Sequence, residues 1–504
     1  MKLKTTLVLA ACGVLASAAG AFAIPVSKAG PVREPWIGKD RTDLVGTTGD
    51  SARMTAGDTL LVDARLGHAS LARSGSGETF LFAQVSASDD KAASAPPMHL
   101  AIVIDRSGSM KGDRIANAMS AASLAVERLR DGDSVTVVAF DTSAQVVVPP
   151  TRLGADTRGS VAAAIRSIRL GGDTCISCGL QEAMVQLGSS SLGPDRVSRM
   201  ILLSDGATNV GIKDVSGLRA MARRMHDRGV TISTIGVDVD FDEKVMAAIA
   251  SETNGRHHFV ANASGLPQVF SQEFDDLLAS VASSAELAIE LAPGVEVAEV
   301  FDRTFRREGN KLIVPFGTFS AKQEKTVLVK LRVPTDHDGS QPVADVKLVY
   351  RDLVKKSDGS CGGSLALSVR DDGREQRDLD PFVAARLERS RTAQTLTEAN
   401  QLFESGRIDE ARAKLAARRT ELKKTESSSL ALAAAAPAKA PPRAKKSLDR
   451  DFDDQLGAVA AAEQNFAAPP PAAAGARPSA PAPASREGKA QVRVNQQAAS
   501  DLAF

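Results

Sequence analysis

Flat rings are scarce in this chain of 504 residues, which has one Trp, one Tyr and 17 Phe. That scarcity removes the stacking platforms on which single-stranded nucleic acid is held. Charge of one sign is missing as well: 62 basic residues meet 61 acidic ones, so no chain-wide basic field for nucleic acid exists. Four cysteines are too few for a disulfide scaffold. Beyond the N-terminus no stretch reaches the roughly 18 apolar residues that a membrane span requires. The sequence also lacks Gly-x-Ser-x-Gly, a phosphate loop and His-Glu-x-x-His, so the common hydrolase and nucleotide signatures are absent. What is present is 43% hydrophobic and 24% charged residues, enough for real cores in a soluble protein. At roughly 150 residues per domain, the length predicts about three units.

The N-terminus reads as a targeting segment. Lys2 and Lys4 precede an apolar, small-residue run at 7–22, and Ala21-Phe22-Ala23 fits small-x-small processing. A secretory signal peptide over 1–23, cut after Ala23, is the expectation. Leu9-Ala10-Ala11-Cys12 offers a lipoprotein alternative, so membrane attachment stays open. Export places the protein in the periplasm, the cell envelope or the medium. Cleavage leaves Cys175, Cys178 and Cys361, an odd number in an oxidising compartment.

Composition and period divide the rest. Residues 24–57 are Pro-, Gly- and polar-rich and read as an irregular leader. Within 58–97 the runs 60–65 and 79–85 look like strands. From 98 to 270 buried-type strands at 99–104, 134–140, 200–204 and 231–237 alternate with amphipathic helices. That alternation implies a parallel, doubly wound α/β sheet. A connecting helix is expected at 271–285. Over 286–372 the period switches to two, with turns at Pro293-Gly294, Gly309-Asn310 and Asp338-Gly339, the pattern of an antiparallel β-sandwich. An isolated hairpin is marginal in water, so the strands of 58–97 are assigned to that sandwich, with the α/β domain inserted between them. Residues 380–425 are helical, and an Ala…Gly…Ala…Leu spacing over 398–415 resembles a tetratricopeptide-like hairpin. From 426 to 504 Ala and Pro dominate, and the expectation is a disordered tail with at most a short helix at 451–466.

Chemistry gathers at the ends of the α/β strands. The strand 100–104 runs into Asp105-Arg106-Ser107-Gly108-Ser109, which offers a carboxylate and two hydroxyls at alternate positions. Alternate side chains of an extended loop face one way, so the three oxygens can share a point. Thr174 follows Gly171-Gly172-Asp173, and Asp205 follows the strand 200–204 and precedes Gly206. In open parallel sheets such positions meet outside the carboxyl ends of the strands. Hard oxygen donors of this kind suit a magnesium-like cation.

Asp105-x-Ser107-x-Ser109, Thr174 and Asp205-Gly206, in that order and on those elements, resemble the metal-ion-dependent adhesion site of the von Willebrand factor type A family. Gly179-Leu180 and Thr234-Ile235-Gly236-Val237 extend the resemblance, which covers about a third of the chain. It implies that Ser107, Ser109 and sometimes Thr174 bind the metal directly, and that Asp105 and Asp205 often act through water. The implied cofactor is Mg2+, with Mn2+ or Ca2+ as alternatives. The implied partner is a protein that supplies a carboxylate to the metal, with no nucleic acid involved. Such a donor set leaves the dication an open coordination position, which is a binding device and requires no nucleophile.

Hydrolysis would need a general base, and none of His99, His226, His257 and His258 adjoins a ligand motif. No enzyme activity is expected, and a thiol–disulfide or hydrolytic enzyme is the distant alternative. A nearer one is an envelope scaffold in which the metal only stabilises a loop. Asp238-x-Asp240-x-Asp242 imitates a calcium loop, but Glu243 stands where glycine is needed and Ile249 where glutamate is needed. Cys175 and Cys178 directly follow Thr174. A local disulfide stiffening the metal loop is the favoured reading, with pairing to Cys361 and free thiols as alternatives.

Overall fold

The computed structural model describes residues 52–89, 97–189, 197–371, 379–435, 442–467 and 482–503. The expected signal segment with Ala23, the leader to residue 51 and the stretch 468–481 lie outside the described residues.

Four strands come first: β1 (Arg53–Gly57), β2 (Leu60–Leu66), β3 (Ser70–Ala72) and β4 (Gly75–Ala87). An α/β unit follows with β5 (Met98–Asp105), α1 (Asp113–Arg128), β6 (Ser134–Phe140), β7 (Ala144–Arg152), α2 (Ala155–Arg166) and α3 (Ile176–Ser189). It continues through β8 (Val197–Ser204), α4 (Val215–His226), β9 (Val230–Val237), α5 (Glu243–Glu252), β10 (His257–Val260) and α6 (Leu266–Leu278). Then come β11 (Ser280–Leu291), β12 (Glu296–Phe301), β13 (Arg306–Glu308), β14 (Lys311–Ser320), β15 (Glu324–Thr335), β16 (Gly339–Asp352) and β17 (Ser357–Arg370). The helices α7 (Pro381–Glu404), α8 (Ile408–Ala435), α9 (Pro442–Asn465) and α10 (Arg486–Ala503) follow.

All eight residues of β5 are buried, as a strand covered on both faces must be. Leu100, Ile102 and Ile104 enter one core with α1, α2 and α6, while Ala101 and Val103 enter the other with α3, α4 and α5. The sheet runs β10-β9-β8-β5-β6-β7, parallel except for β7. β7 was not read from the sequence, because Pro149-Pro150 speaks against a strand; an edge strand tolerates them. The chain goes from β5 to β6 on one side and later to β8 on the other. The carboxyl ends of β5 and β8 therefore meet where the strand order reverses, the usual ligand position of such sheets.

The β-rich part consists of two sheets, ordered β1-β2-β4-β15-β12 and β13-β14-β11-β16-β17-β3. β4 pairs with β15 from Ser86 opposite Glu324 to Gly75 opposite Thr335. Strands before and after the α/β unit thus share a sheet, and one core holds Leu81 and Val329 together with Leu287 and Leu348. The chain leaves this body after Ala87 and re-enters it at Ser280. Both crossings grip the same turn: Ala87 N donates to Gln323 O (2.9 Å), Lys322 N to Ser88 O (3.2 Å) and Ala321 N to Ala279 O (2.8 Å).

Four sequence expectations need correction. The leader 24–57 contains a strand, β1, which pairs with β2. The connecting helix at 271–285 is instead α6, ending at Leu278, and Ser280–Leu291 is already β11. The ladder to β14 and β16 draws those residues into the sheet, with a bulge around Ser283 that absorbs Ser284 at φ 51°. The hairpin expected over 380–425 runs on in α8 to Ala435.

The tail from 426 is ordered wherever it is described, because composition concealed a period. Leu448, Phe452, Gln455, Val459, Ala462 and Phe466 recur every three or four residues and are buried. They pack on α7 and α8, and Phe466 stacks on Phe403 with centroids 4.2 Å apart. Val492, Ala499 and Leu502 of α10 join the same core. Val459→Ala should therefore lower stability by about 2 kcal/mol in urea unfolding. A change below about 0.3 kcal/mol would mean that α9 is not part of the cooperative fold.

Candidate metal centre

β5 delivers Asp105 to the sheet edge with no exposed surface. Its Oδ1 accepts Ser107 N (2.8 Å) and its Oδ2 accepts Ser204 Oγ (2.5 Å). Burial pushes this carboxyl up to about 6, against the pull of the Ser204 and Ser107 hydrogen bonds, with nearby Asp205 adding to the rise. No cation pairs with it among the described residues. After Ser107 a short 3-10 turn, Gly108–Met110, lifts Ser109 beside it. The Ser107 and Ser109 hydroxyls lie 3.0 Å apart, and Ser109 Oγ donates to Asp205 Oδ1 (2.7 Å).

The Thr174 loop is zipped to the first loop by Gly108 N to Gly172 O (3.0 Å) and Gly171 N to Arg106 O (2.7 Å). Gly171 is required here, since a Cβ would stand 1.7 Å from Asp141 Oδ2. Thr174 is fixed from the other side by Asn209, whose Oδ1 accepts Thr174 N (2.8 Å). A Cβ on Gly206 would lie 3.4 Å from both Ser109 Oγ and Thr174 Oγ1, which places both hydroxyls against the Asp205-Gly206 turn.

All five sequence-proposed donors, Asp105, Ser107, Ser109, Thr174 and Asp205, therefore sit at one edge, on three loops. The set is two carboxylates and three hydroxyls, hard oxygens that suit Mg2+ and its chemical neighbours. The buried, cation-free Asp105 fits a site completed by a metal. These residues would hold the ion, which would supply a Lewis-acidic position for an incoming oxygen.

Cys175 and Cys178 are joined, with Cα atoms 5.3 Å apart, tying the residue before α3 to its first turn. Cys361 is a half-buried free thiol in the β-rich part, pushed up to about 11 by burial. Three of the histidines are placed on other parts of the domain. His99 sits at the amino end of β5, His257 shares a hydrogen bond with Thr234 (2.9 Å), and His258 meets Glu273 (2.7 Å). Asp242 of the false calcium loop caps α5 by accepting Val245 N (3.1 Å).

Two participants escaped the sequence reading. Ser204, which binds Asp105, could have been suspected as the residue before Asp205. Arg114 donates to Asp205 Oδ2 (2.7 Å) and to Ser109 O (2.8 Å), and it also pairs with Asp238. Its signal was a cation in the first turn of a helix, against the dipole.

Residues 99–272 match the model of the von Willebrand factor type A domain, so the chain carries a type A domain there. Over 286 residues it is 28% identical to an uncharacterized protein of Synechocystis sp., covering 54% of this chain and 66% of that protein. It is 30% identical over 217 residues to the uncharacterized protein YfbK of Escherichia coli, covering 43% of this chain and 37% of YfbK. To inter-alpha-trypsin inhibitor heavy chain H2 of Mus musculus it is 28% identical over 166 residues, covering 32% of this chain and 17% of the other. The chain thus spans less than two thirds of the length of each of these relatives. Among solved structures, a von Willebrand factor type A protein from Catenulispora acidiphila superposes with a TM-score of 0.61 at 17% identity, covering 77% of this chain and 90% of that one. The ArnB paralog VWA2 from Sulfolobus acidocaldarius gives 0.58 at 16% identity, covering 89% and 100%. At these identities the likeness is one of fold.

Proposed function

We propose that this type A domain protein is exported and binds another protein through a divalent cation held by Asp105, Ser107, Ser109, Thr174 and Asp205. The observation that carries the reading is the meeting of five oxygen donors, with Ser109 Oγ 3.0 Å from Ser107 Oγ and 2.7 Å from Asp205 Oδ1. Type A domains commonly mediate protein–protein contacts and often hold a divalent metal. The two carboxylates only balance a dication and the three hydroxyls are neutral, so an open coordination position is left that a partner's carboxylate can fill. The placement of His99, His257 and His258 outside the cluster supports binding in preference to hydrolysis. Export is supported by Lys2, Lys4, the apolar run 7–22 and the processing signal at Ala23, and by the Cys175–Cys178 bond, which suits an oxidising compartment.

Calorimetry of the full chain should show one site for Mg2+ or Mn2+, weakened about tenfold in Ser109→Ala. No binding to the unmodified chain, or the same affinity in the variant, would reject the site. Retention of an envelope partner should then require Mg2+ and be lost with chelator and in Asp105→Ala.

A further inference from the structure

The C-terminal helix α10 occupies an unusual place. One face, with Val492, Ala499 and Leu502, belongs to the helical core of α7 and α9. Another lies along β10, the edge strand of the type A sheet, where Gln497 Oε1 accepts the outward Phe259 N (3.1 Å). Covering an open edge in this way removes a template for unwanted pairing. Arg486, Lys489 and Arg493, spaced three and four residues apart, form one basic stripe. They meet Asp238 (2.8 Å), Asp240 (2.9 Å) and Glu243 on the loop after β9 and the start of α5. Arg493 also donates to Phe241 O (3.3 Å).

The first of these pairs continues to the metal centre. Asp238 takes Arg486 on Oδ1 and Arg114 on Oδ2, and Arg114 in turn reaches Asp205 Oδ2 (2.7 Å). Charges alternate without a gap: Arg486, Asp238, Arg114, Asp205. A cavity of about 480 Å³ lined by Ser109, Lys111, Arg114, Asp238, Asn262 and Arg486 lies along this row and leaves the two arginines room to move.

We infer that α10 is a charge strap on the type A domain whose docking opposes cation binding, with Arg114 as the relay; this rests on the metal reading above. Arg114 and a dication compete for the same carboxylate, Asp205. While Arg486 holds Asp238, the pull of Asp238 on Arg114 is shared, and Arg114 leans on Asp205. When Arg486 leaves, Asp238 claims Arg114 and Asp205 is released to the cation. Coupling of this kind is reciprocal, so cation binding loosens the strap's N-terminal end. Arg486 is 69% exposed, which puts the effect at the low end of usual couplings, about fivefold.

The test is a Mn2+ titration of the full chain by calorimetry in four forms: unmodified, Arg486→Ala, Arg114→Gln and both together. Arg486→Ala should tighten Mn2+ about fivefold in the unmodified background and leave it unchanged in the Arg114→Gln background. Amide exchange over 486–503 should quicken with saturating Mn2+. Equal affinity in the unmodified chain and Arg486→Ala overturns the strap. A gain that persists in Arg114→Gln overturns the relay, since it reports only the loss of a nearby positive charge. No Mn2+ binding in the unmodified chain overturns the metal reading and the coupling with it.

Discussion

Asp205→Ala is expected to weaken Mg2+ binding by at least about 100-fold, or about 3 kcal/mol, the largest loss of any single donor. A hydroxyl donor is neutral, so losing Ser109 removes one oxygen and leaves the site's charge unchanged. Asp205 supplies one of two negative charges and is 1% exposed, where screening is weak. Its removal also leaves Arg114, still facing the site, with only Asp238 as a carboxylate partner, one it shares with Arg486. Asp205→Asn retains acceptor capacity for Ser109 and Arg114 but loses the charge, and its affinity should lie near that of the alanine variant. Competition titration against Mn2+ gives both constants. An Asp205→Ala protein within threefold of the unmodified one would show that this carboxylate is no ligand, direct or through water.

Acid should destabilise the protein through His257. This imidazole is 6% exposed, its Nδ1 engaged with Thr234 and its ring beside Phe241. Burial, with smaller contributions from His258 and Arg493, lowers its pKa to about 3. The unfolded chain protonates it near 6.5, so between those values the unfolded state holds a proton that the folded state refuses. Stability from this group is complete above about pH 6.5 and falls by about 1.4 kcal/mol per unit below it. At about pH 4.5 the loss is about 3 kcal/mol. His257→Gln removes the titration while keeping a polar group for Thr234, so its urea midpoint should fall less from pH 7 to 4.5. Parallel falls in the two proteins would exclude His257 as the acid-sensitive group.

The type A domain was legible because its motif sets fixed residue types at alternate positions right after a buried strand. Asp105, Ser107 and Ser109 leave a strand that is apolar throughout, and that combination rarely arises otherwise. Element ends were harder: Ser280–Leu291 is a strand only because β14 and β16 pair with it, and nothing in Val281-Ala282-Ser283-Ser284 says so locally. In α9 and α10 an abundance of Ala and Pro points to disorder outside a short helix at 451–466, although Phe452, Val459 and Phe466 mark a helical stripe within it. The contact between residues 238 and 486 had no local signal at all. An ion pair across that separation is decided by how the helical layer lands on β10, which is a property of packing.

The type A domain hangs from the β-rich body by two covalent crossings, after Ala87 and before Ser280, and both are bonded to the turn 321–323. A pull on a partner held at the carboxyl edge of the α/β sheet would divide between them. One branch loads β4 in the first sheet and the other loads β11 in the second. Each strand is bonded on both sides, β4 to β2 and β15, β11 to β14 and β16, so neither can be peeled from a free edge. The ladders along these strands would be strained in parallel, many hydrogen bonds at a time, and traction at that edge would be borne by both sheets.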